Sequence, residues 1–160
     1  MSCVSSCDES FMKKIIVAVD GSKCSEYALR RAFQIAKVFK AKVIIAHVIP
    51  KMLPYGVEAA EVDTPYHDFL VGEANKVLRS SLEKAKEEGV EAEGKLLEGS
   101  PADEVISLAE REGADTIIVG SRGTAVTRAE LGSVSERVVR YSPIPVLVIK
   151  CPKHFCRFPS

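Results

Sequence analysis

No excess charge of either sign is present, because 22 Lys and Arg residues balance 22 Asp and Glu residues. Without an overall field to gather DNA, RNA or an anionic membrane surface, any bound anion must be held locally. Also missing is an apolar run approaching the roughly 20 residues that cross a bilayer, which argues against membrane insertion. The stretch from Met1 to Phe11 lacks the positive start and the apolar segment of about 7 to 15 residues of a secretory leader, so an intracellular, cytoplasmic protein is expected. No nucleophile stands beside an evident base, and no catalytic mechanism is assigned. His47 lies inside a strand-like run and reads as a core or boundary histidine, while His67 and His154 are isolated from each other.

Cysteine is odd in number at five residues, which leaves no complete disulfide framework. In a cytosolic chain these are expected as reduced thiols, intracellular proteins of hyperthermophiles being the exception. Two alternatives stay open at the tails. Cys3 and Cys7 together with Cys151, His154 and Cys156 offer a loosely zinc-like ligand set, or one cysteine pair bridges the two tails.

What is present is the content of a soluble globular protein, 46% apolar and 28% charged, in 160 residues, enough for one core and too few for two ordinary domains. The expected organisation is an N-terminal extension over 1–11, one domain over 12–150 and a C-terminal tail over 151–160. Lys13 to Val19 reads as a strand buried on both faces and stopped by Asp20-Gly21-Ser22. Leu29, Ala32, Phe33, Ala36 and Phe39 then recur at helical spacing behind Ser25, a candidate N-cap. Lys42 to Val48 repeats the buried-strand pattern, with Pro50 and Pro54 expected to stop it. The segment from Lys51 to Pro65 has no clear period and reads as a loop able to fold over a ligand. Leu70, Ala74, Val77, Leu78 and Ala85 mark a second helix ending at Gly89. Val90, Ala92, Gly94 and Leu96 alternate with charged residues as an edge strand does. Ser100-Pro101-Ala102-Asp103 opens a third helix that Gly113 closes. Ala114 to Val119 is a fourth strand, Ser133 to Tyr141 a fourth helix, and Pro145 to Ile149 a fifth strand at an edge.

Strands alternating with helices at this spacing require right-handed crossovers, so the fold class is α/β, a doubly wound five-stranded parallel sheet with helices on both faces, Rossmann-like. Such sheets bind ligands at the carboxyl ends of their strands, which singles out Asp20, His47 to Ile49, and Gly120 onward. Gly120-Ser121-Arg122-Gly123 follows the fourth strand, and Gly132-Ser133-Val134-Ser135 leads into the fourth helix. Glycines there let backbone amides approach a ligand, and with the amino end of a helix they form a donor surface suited to phosphate. Ser133 and Ser135 would add hydroxyl donors, and Arg122 a forked cation for a terminal phosphate. The plainer alternative is that the glycines only turn the chain and Ser133 only caps its helix. Asp20, likewise, either contacts a ligand or closes the first strand with an Asx-type turn. The segment is neither Gly-x-Gly-x-x-Gly nor Gly-x-x-x-x-Gly-Lys-Ser/Thr, so neither a dinucleotide fingerprint nor a Walker site is indicated.

From Met12 to Ile149 the chain resembles the universal stress protein family. The resemblance is carried by Ile15 to Ser22, Ala46-His47-Val48, Ala114 to Gly123, Gly132-Ser133-Val134-Ser135-Glu136, and Pro145 to Ile149. ATP-binding members of that family have Gly, two residues, Gly, nine residues, Gly, then Ser or Thr; eight residues, Thr124 to Leu131, separate Gly123 from Gly132 in this chain. The resemblance implies an ATP site, with Mg2+, that includes Ala18, Val19, Asp20, Val48, Val119, Gly120, Arg122, Gly123, Gly132, Ser133, Val134 and Ser135. Asp20 would contact the nucleoside, Val48 would present backbone groups to adenine, and Gly132 to Ser135 would hold the phosphates. It also implies a homodimer through the last strand, the alternative being a C-terminal tail folded back over that edge. Three functions follow as expectations: an ATP-binding stress or signalling module, in which slow hydrolysis is compatible; a nucleotide-free dimeric scaffold; or an adenylyl-transferring enzyme. Against the enzyme, Asp20-Gly21-Ser22-Lys23-Cys24-Ser25 stands where Ser-Gly-Gly-x-Asp-Ser or His-x-Gly-His is usual.

Overall fold

The computed structural model describes residues 12–51, 64–122 and 131–152. At its centre runs β1 (Lys14–Ala18), whose Ile15, Ile16 and Val17 are wholly buried because helices cover both faces of the strand. It is followed in alternation by α1 (Lys23–Phe39), β2 (Lys42–Pro50), α2 (Thr64–Glu87), β3 (Ala92–Gly99), α3 (Pro101–Glu112), β4 (Thr116–Gly120), α4 (Ser133–Tyr141) and β5 (Val146–Ile149). Every strand pairing is parallel, and the order across the sheet is β3-β2-β1-β4-β5. This is the expected five-stranded doubly wound sheet, with β3 and β5 at its edges.

Strand alternation sorts the core into two layers. Ile15, Val17, Val19, Val43, Ile45 and Ile118 face Ala28, Leu29, Ala32, Phe33 and Ala36 of α1 and Leu78 and Ala85 of α2. Ile16, Ile44, Ala46, Ile117 and Val119 face Ala102, Val105, Leu108 and Ala109 of α3 and Val138 of α4. Among the described residues no helix is long and apolar enough to cross a membrane.

Several boundaries differ from expectation for identifiable reasons. Ser22, not Ser25, caps α1: its Oγ accepts the Ser25 amide at 3.1 Å. The helix begins early because Asp20 Oδ1 accepts the Ser22 amide at 2.9 Å and Gly21 bends the chain at a φ of 83°, a conformation that glycine adopts without cost. Strand β2 includes Pro50, its last residue, in register with Gly99. Helix α2 starts at Thr64, so the last two residues of the expected loop are helical; Pro65 falls in the first turn, where its missing amide costs nothing. The rest of that loop, residues 52–63, lies outside the described residues. The expectation of reduced thiols is corrected at two positions: Cys24 and Cys151 form a disulfide, with their Cα atoms 5.3 Å apart. The chain leaving β5 is led onto the first turn of α1, and 127 residues of sequence separation vanish in space. Cys151 is thereby also removed from the zinc ligand set considered above.

Two polar side chains act at opposite ends of the sheet. At the amino ends, Asp115 Oδ2 accepts the amides of Lys13 at 2.8 Å and Lys14 at 3.0 Å, while its own amide donates to the Lys14 carbonyl at 2.8 Å. This carboxylate registers β1 against β4 where backbone pairing begins. Toward the carboxyl ends, His47 is half-buried, and its Nδ1 is shut from solvent with no hydrogen-bond partner among the described residues. Burial holds the imidazole below its ordinary pKa, against the opposing pull of the Asp20 carboxylate and the Val19 backbone.

Asp115→Ala is expected to destabilise the protein by about 2 kcal/mol, the worth of charge-assisted bonds to two amides, read from denaturant unfolding. Unchanged stability would show that water substitutes for the carboxylate. For His47, the unfolded chain binds more protons than the folded one between the lowered folded value and about 6.5. Its contribution is therefore complete above about pH 6.5 and declines as the pH falls from there through the folded value. Melting temperatures between pH 8 and pH 5 should fall less steeply for His47→Gln than for the parent chain.

Candidate functional site

Parallel strands finish on one edge of the sheet, and the winding reverses between β1, which leads through α1 to β2, and its other neighbour β4. A crevice at that reversal is where the ends of the two strands diverge with their helices. Along this edge the chain sets Ala18, half-buried at the end of β1, then Val19, buried, with its amide donated to the Ala46 carbonyl at 2.8 Å, then the exposed Asp20. Val48 is half-buried on the adjacent strand β2, and Val119 and Gly120 are the buried last residues of β4. Arg122 is half-buried beyond them. Gly123 lies outside the described residues, as does most of the spacer before Gly132.

The Asx turn at Asp20 is realised through Oδ1 and leaves the side chain at the surface. Behind it, Ser25 Oγ donates to the Ser22 carbonyl at 3.0 Å and accepts the Asp20 amide at 3.3 Å, fixing the turn from the inside. Gly120 supports a close approach of a different kind. A Cβ built on it would lie 3.0 Å from the Cys24 carbonyl oxygen and 3.2 Å from that carbonyl carbon, so glycine lets β4 end against the first turn of α1, whose backbone any side chain would push back by a few tenths of an ångström.

Ser121 ties the rest together. It is 3% exposed, its amide donates to the Ile149 carbonyl at 2.9 Å, its carbonyl accepts the Gly132 amide at 2.7 Å, and its Oγ accepts the Cys151 amide at 3.1 Å. Gly132 is thus drawn to the end of β4 and serves as N-cap of α4, in place of Ser133. The first hydrogen bond of α4 runs from the Glu136 amide to the Gly132 carbonyl at 2.9 Å. Ahead of it stand the amides of Ser133, Val134 and Ser135, which an α-helix provides with no acceptor of its own and which carry its partial positive charge.

The two serines expected to act alike do not. Ser133 and Val134 are exposed, whereas Ser135 is 5% exposed and its Oγ donates to the Gly120 carbonyl at 2.5 Å. Its hydroxyl proton is committed to holding α4 on β4. Further along, Arg137 grips the Asp103 carboxylate through Nε at 3.0 Å and Nη2 at 3.3 Å and lies over the Tyr141 ring. That guanidinium holds the Asp103 carboxyl below its usual range. Both side chains are about half exposed and solvent-screened, so the pair orients α4 against α3 more than it stabilises the fold.

Sequence reasoning missed Ser121 as the tie and Cys24 as the wall behind Gly120. Ser121 was in plain view inside the glycine segment, but its three partners are distant in sequence. A groove of about 520 Å³ runs between α2 and β3, lined by Leu78, Leu82, Leu96, Arg79 and Lys86 among others. None of the candidate site residues above lines it. Among the described residues no group of three His, Cys, Asp or Glu side chains is disposed to hold a metal ion.

Comparison with known proteins identifies the family. Residues 12–150 match the sequence model of the Universal stress protein family. Universal stress protein MJ0531 of Methanocaldococcus jannaschii is 38% identical over 146 residues, which are 91% of this chain and 86% of the relative. A universal stress protein solved in complex with cAMP is 30% identical, with a TM-score of 0.67 over 87% of this chain and 97% of that one. The universal stress protein from Archaeoglobus fulgidus in complex with dAMP is 27% identical, with a TM-score of 0.66 over 87% of this chain and 98% of that one. The family model covers residues 12–150, the relative is covered to 86% of its length and the sheet order is that of the same fold: the chain belongs to the universal stress protein family.

Proposed function

We propose that this universal stress protein is a nucleotide-dependent binding module of a stress response or of signalling, and that it takes ATP with Mg2+ in the crevice between β1 and β4. The observation that carries the reading is the Ser121 tie, which draws the free amides of α4 to the glycine end of β4 beside Asp20. Three amides at a helix start suit phosphate, and two relatives of the same fold were solved with adenine nucleotides. In this reading Asp20 meets the ribose, the backbone of Val48 meets the adenine edge, and Ala18, Val19, Val119 and Gly120 line the crevice. Gly132, Ser133 and Val134 receive phosphates with Gly123, while Arg122 neutralises the terminal one. Ser135 contributes its amide, its hydroxyl being engaged with Gly120. Mg2+ would be shared with the phosphate oxygens, as is usual for a cation that keeps several waters.

Partner choice would follow occupancy through assembly as a homodimer. Strand β5 is a sheet edge, and Leu147, 40% exposed, is an apolar side chain on it. An unpaired apolar edge favours pairing with a second copy.

Millimolar ATP with Mg2+ is expected to raise the melting temperature by about 5 to 10 °C if its Kd is near 10 μM. Ser133→Ala should reduce that shift. Gly120→Ala, whose new Cβ meets the Cys24 carbonyl, should abolish it. Failure of ATP, ADP, AMP, cAMP and GTP alike to shift the melt would sink the nucleotide reading in favour of the nucleotide-free scaffold. For the dimer, scattering in dilute solution should give twice the protomer mass, reduced to one protomer by Leu147→Asp; a parent chain of one protomer mass rules out pairing through β5.

A further inference from the structure

The Cys24–Cys151 pair lies against the residues that build the site. Cys24 is the second residue of α1, is 6% exposed, and presents its carbonyl 3.0 Å from where a Gly120 Cβ would stand. Cys151 follows β5 by two residues and donates its amide to Ser121 Oγ at 3.1 Å. The disulfide therefore closes a ring of contacts: Cys24 to Cys151 covalently, Cys151 to Ser121 by a hydrogen bond, and Gly120 back to Cys24 by backbone packing. Gly120 and Ser121 are the residues that receive Ser135 Oγ and the Gly132 amide from α4. Among the described residues, the hydrogen bonds that Gly132 and Ser135 make from the α4 amino end both end on this ring.

We propose that Cys24–Cys151 is a thiol–disulfide exchange site through which redox state sets the nucleotide affinity of the β1–β4 crevice, an inference that rests on the ATP reading above. The oxidised form holds the ring closed and pre-organises the donor surface; reduction frees the segment after β5 and loosens Ser121 from it. The reductant is a low-molecular-weight dithiol. Its thiolate attacks Sγ of Cys151, the less buried of the two residues, forming a mixed disulfide and expelling Cys24 as thiolate. That leaving group forms in the first turn of α1, where the helix amino end stabilises negative charge and makes it a good leaving group. The second thiol of the reductant, as thiolate, then attacks its own mixed-disulfide sulfur, releasing Cys151 as thiolate. Two electrons pass to the protein, the dithiol becomes a cyclic disulfide, and the two protons lost by the dithiol balance those taken up by the cysteines. Oxidation reverses the steps with a low-molecular-weight disulfide.

The test uses the full chain carrying Cys3→Ser, Cys7→Ser and Cys156→Ser, so that Cys24 and Cys151 are the sole thiols. Alkylation without reductant, read by mass spectrometry, should leave both unlabelled; labelling of both overturns the proposal. Isothermal titration with ATP and Mg2+ should give about tenfold weaker binding after treatment with dithiothreitol, a coupling of ordinary allosteric size. Addition of Cys24→Ser and Cys151→Ser should reproduce the weak affinity and remove the response to dithiothreitol. Hydrogen exchange of the Cys151 and Gly132 amides should accelerate on reduction while β2 amides do not. Equal affinities in the two states overturn redox control and leave the nucleotide site standing. Absence of ATP binding in both states overturns the nucleotide reading and this inference with it. A reduced protein that circular dichroism shows to be unfolded also overturns it, because the disulfide would then hold the whole fold instead of the crevice.

Discussion

A serine shut away from water must find partners for its amide, its carbonyl and its hydroxyl, because an unpaired buried polar group costs about 1 to 3 kcal/mol. Ser121 satisfies all three with residues from different parts of the chain: Ile149 at the end of β5, Gly132 at the start of α4, and Cys151 beyond β5. Each bond has a structural consequence. The first extends the pairing of β4 with β5 past Gly120, the second sets where α4 begins, and the third directs the chain leaving the sheet across the first turn of α1. Move Ser121 outward and three segments lose their common anchor at once. The location of the candidate site is a by-product of satisfying this one residue.

The same economy explains Gly120. A glycine at the end of a central strand is open to two readings, an approach to a ligand or an approach to the protein's own backbone. Packing of the Cys24 carbonyl against Gly120 makes the second reading true without excluding the first, since the carbonyl of α1 occupies one side of the glycine and α4 closes from the other through Ser135. Burial of both faces of the sheet leaves only its edges and ends for function, and all five carboxyl ends share one edge because every pairing is parallel. In such a fold the chemistry is confined to the loops at that edge, and the apolar residues decide which loops become neighbours.

Much of this was legible in the sequence because it depends on local pattern. The β-branched run from Ile15 to Val17, the Ser100-Pro101 helix start and the charged alternation of β3 each report on their own few residues, and the structure agrees with them. The cap of α1 was misread because Ser22 and Ser25 both suit an N-cap and the choice lies in the Asp20 and Gly21 turn before them. Pro65 hid the start of α2, although proline is at home in a first turn. The inward turn of Ser135 could have been foreseen, since Ser135 and Val138 share a helical face at a spacing of three and both are buried. The disulfide could not, because nothing in the neighbourhood of Cys24 points to a residue 127 positions away. Such pairings depend on where the end of β5 is led, which is a property of the assembled sheet.

The eight-residue spacer before Gly132 looks at first like a defect in the glycine pattern. Loop closure varies slowly with length, however, and shortening a loop from nine residues to eight changes its closure free energy by only about 0.1 kcal/mol. What a phosphate would sense at α4 is the position of the helix amino end, and this is not left to the spacer. Ser121 holds Gly132 directly at 2.7 Å, and Ser135 holds the first turn of α4 to the Gly120 carbonyl. With the α4 end fixed by bonds from outside the spacer, a residue can be lost from it without displacing the amides of Ser133 and Val134. The shortened spacing is therefore a change in loop content, and the amino end of α4 is held in place by contacts that lie outside the loop.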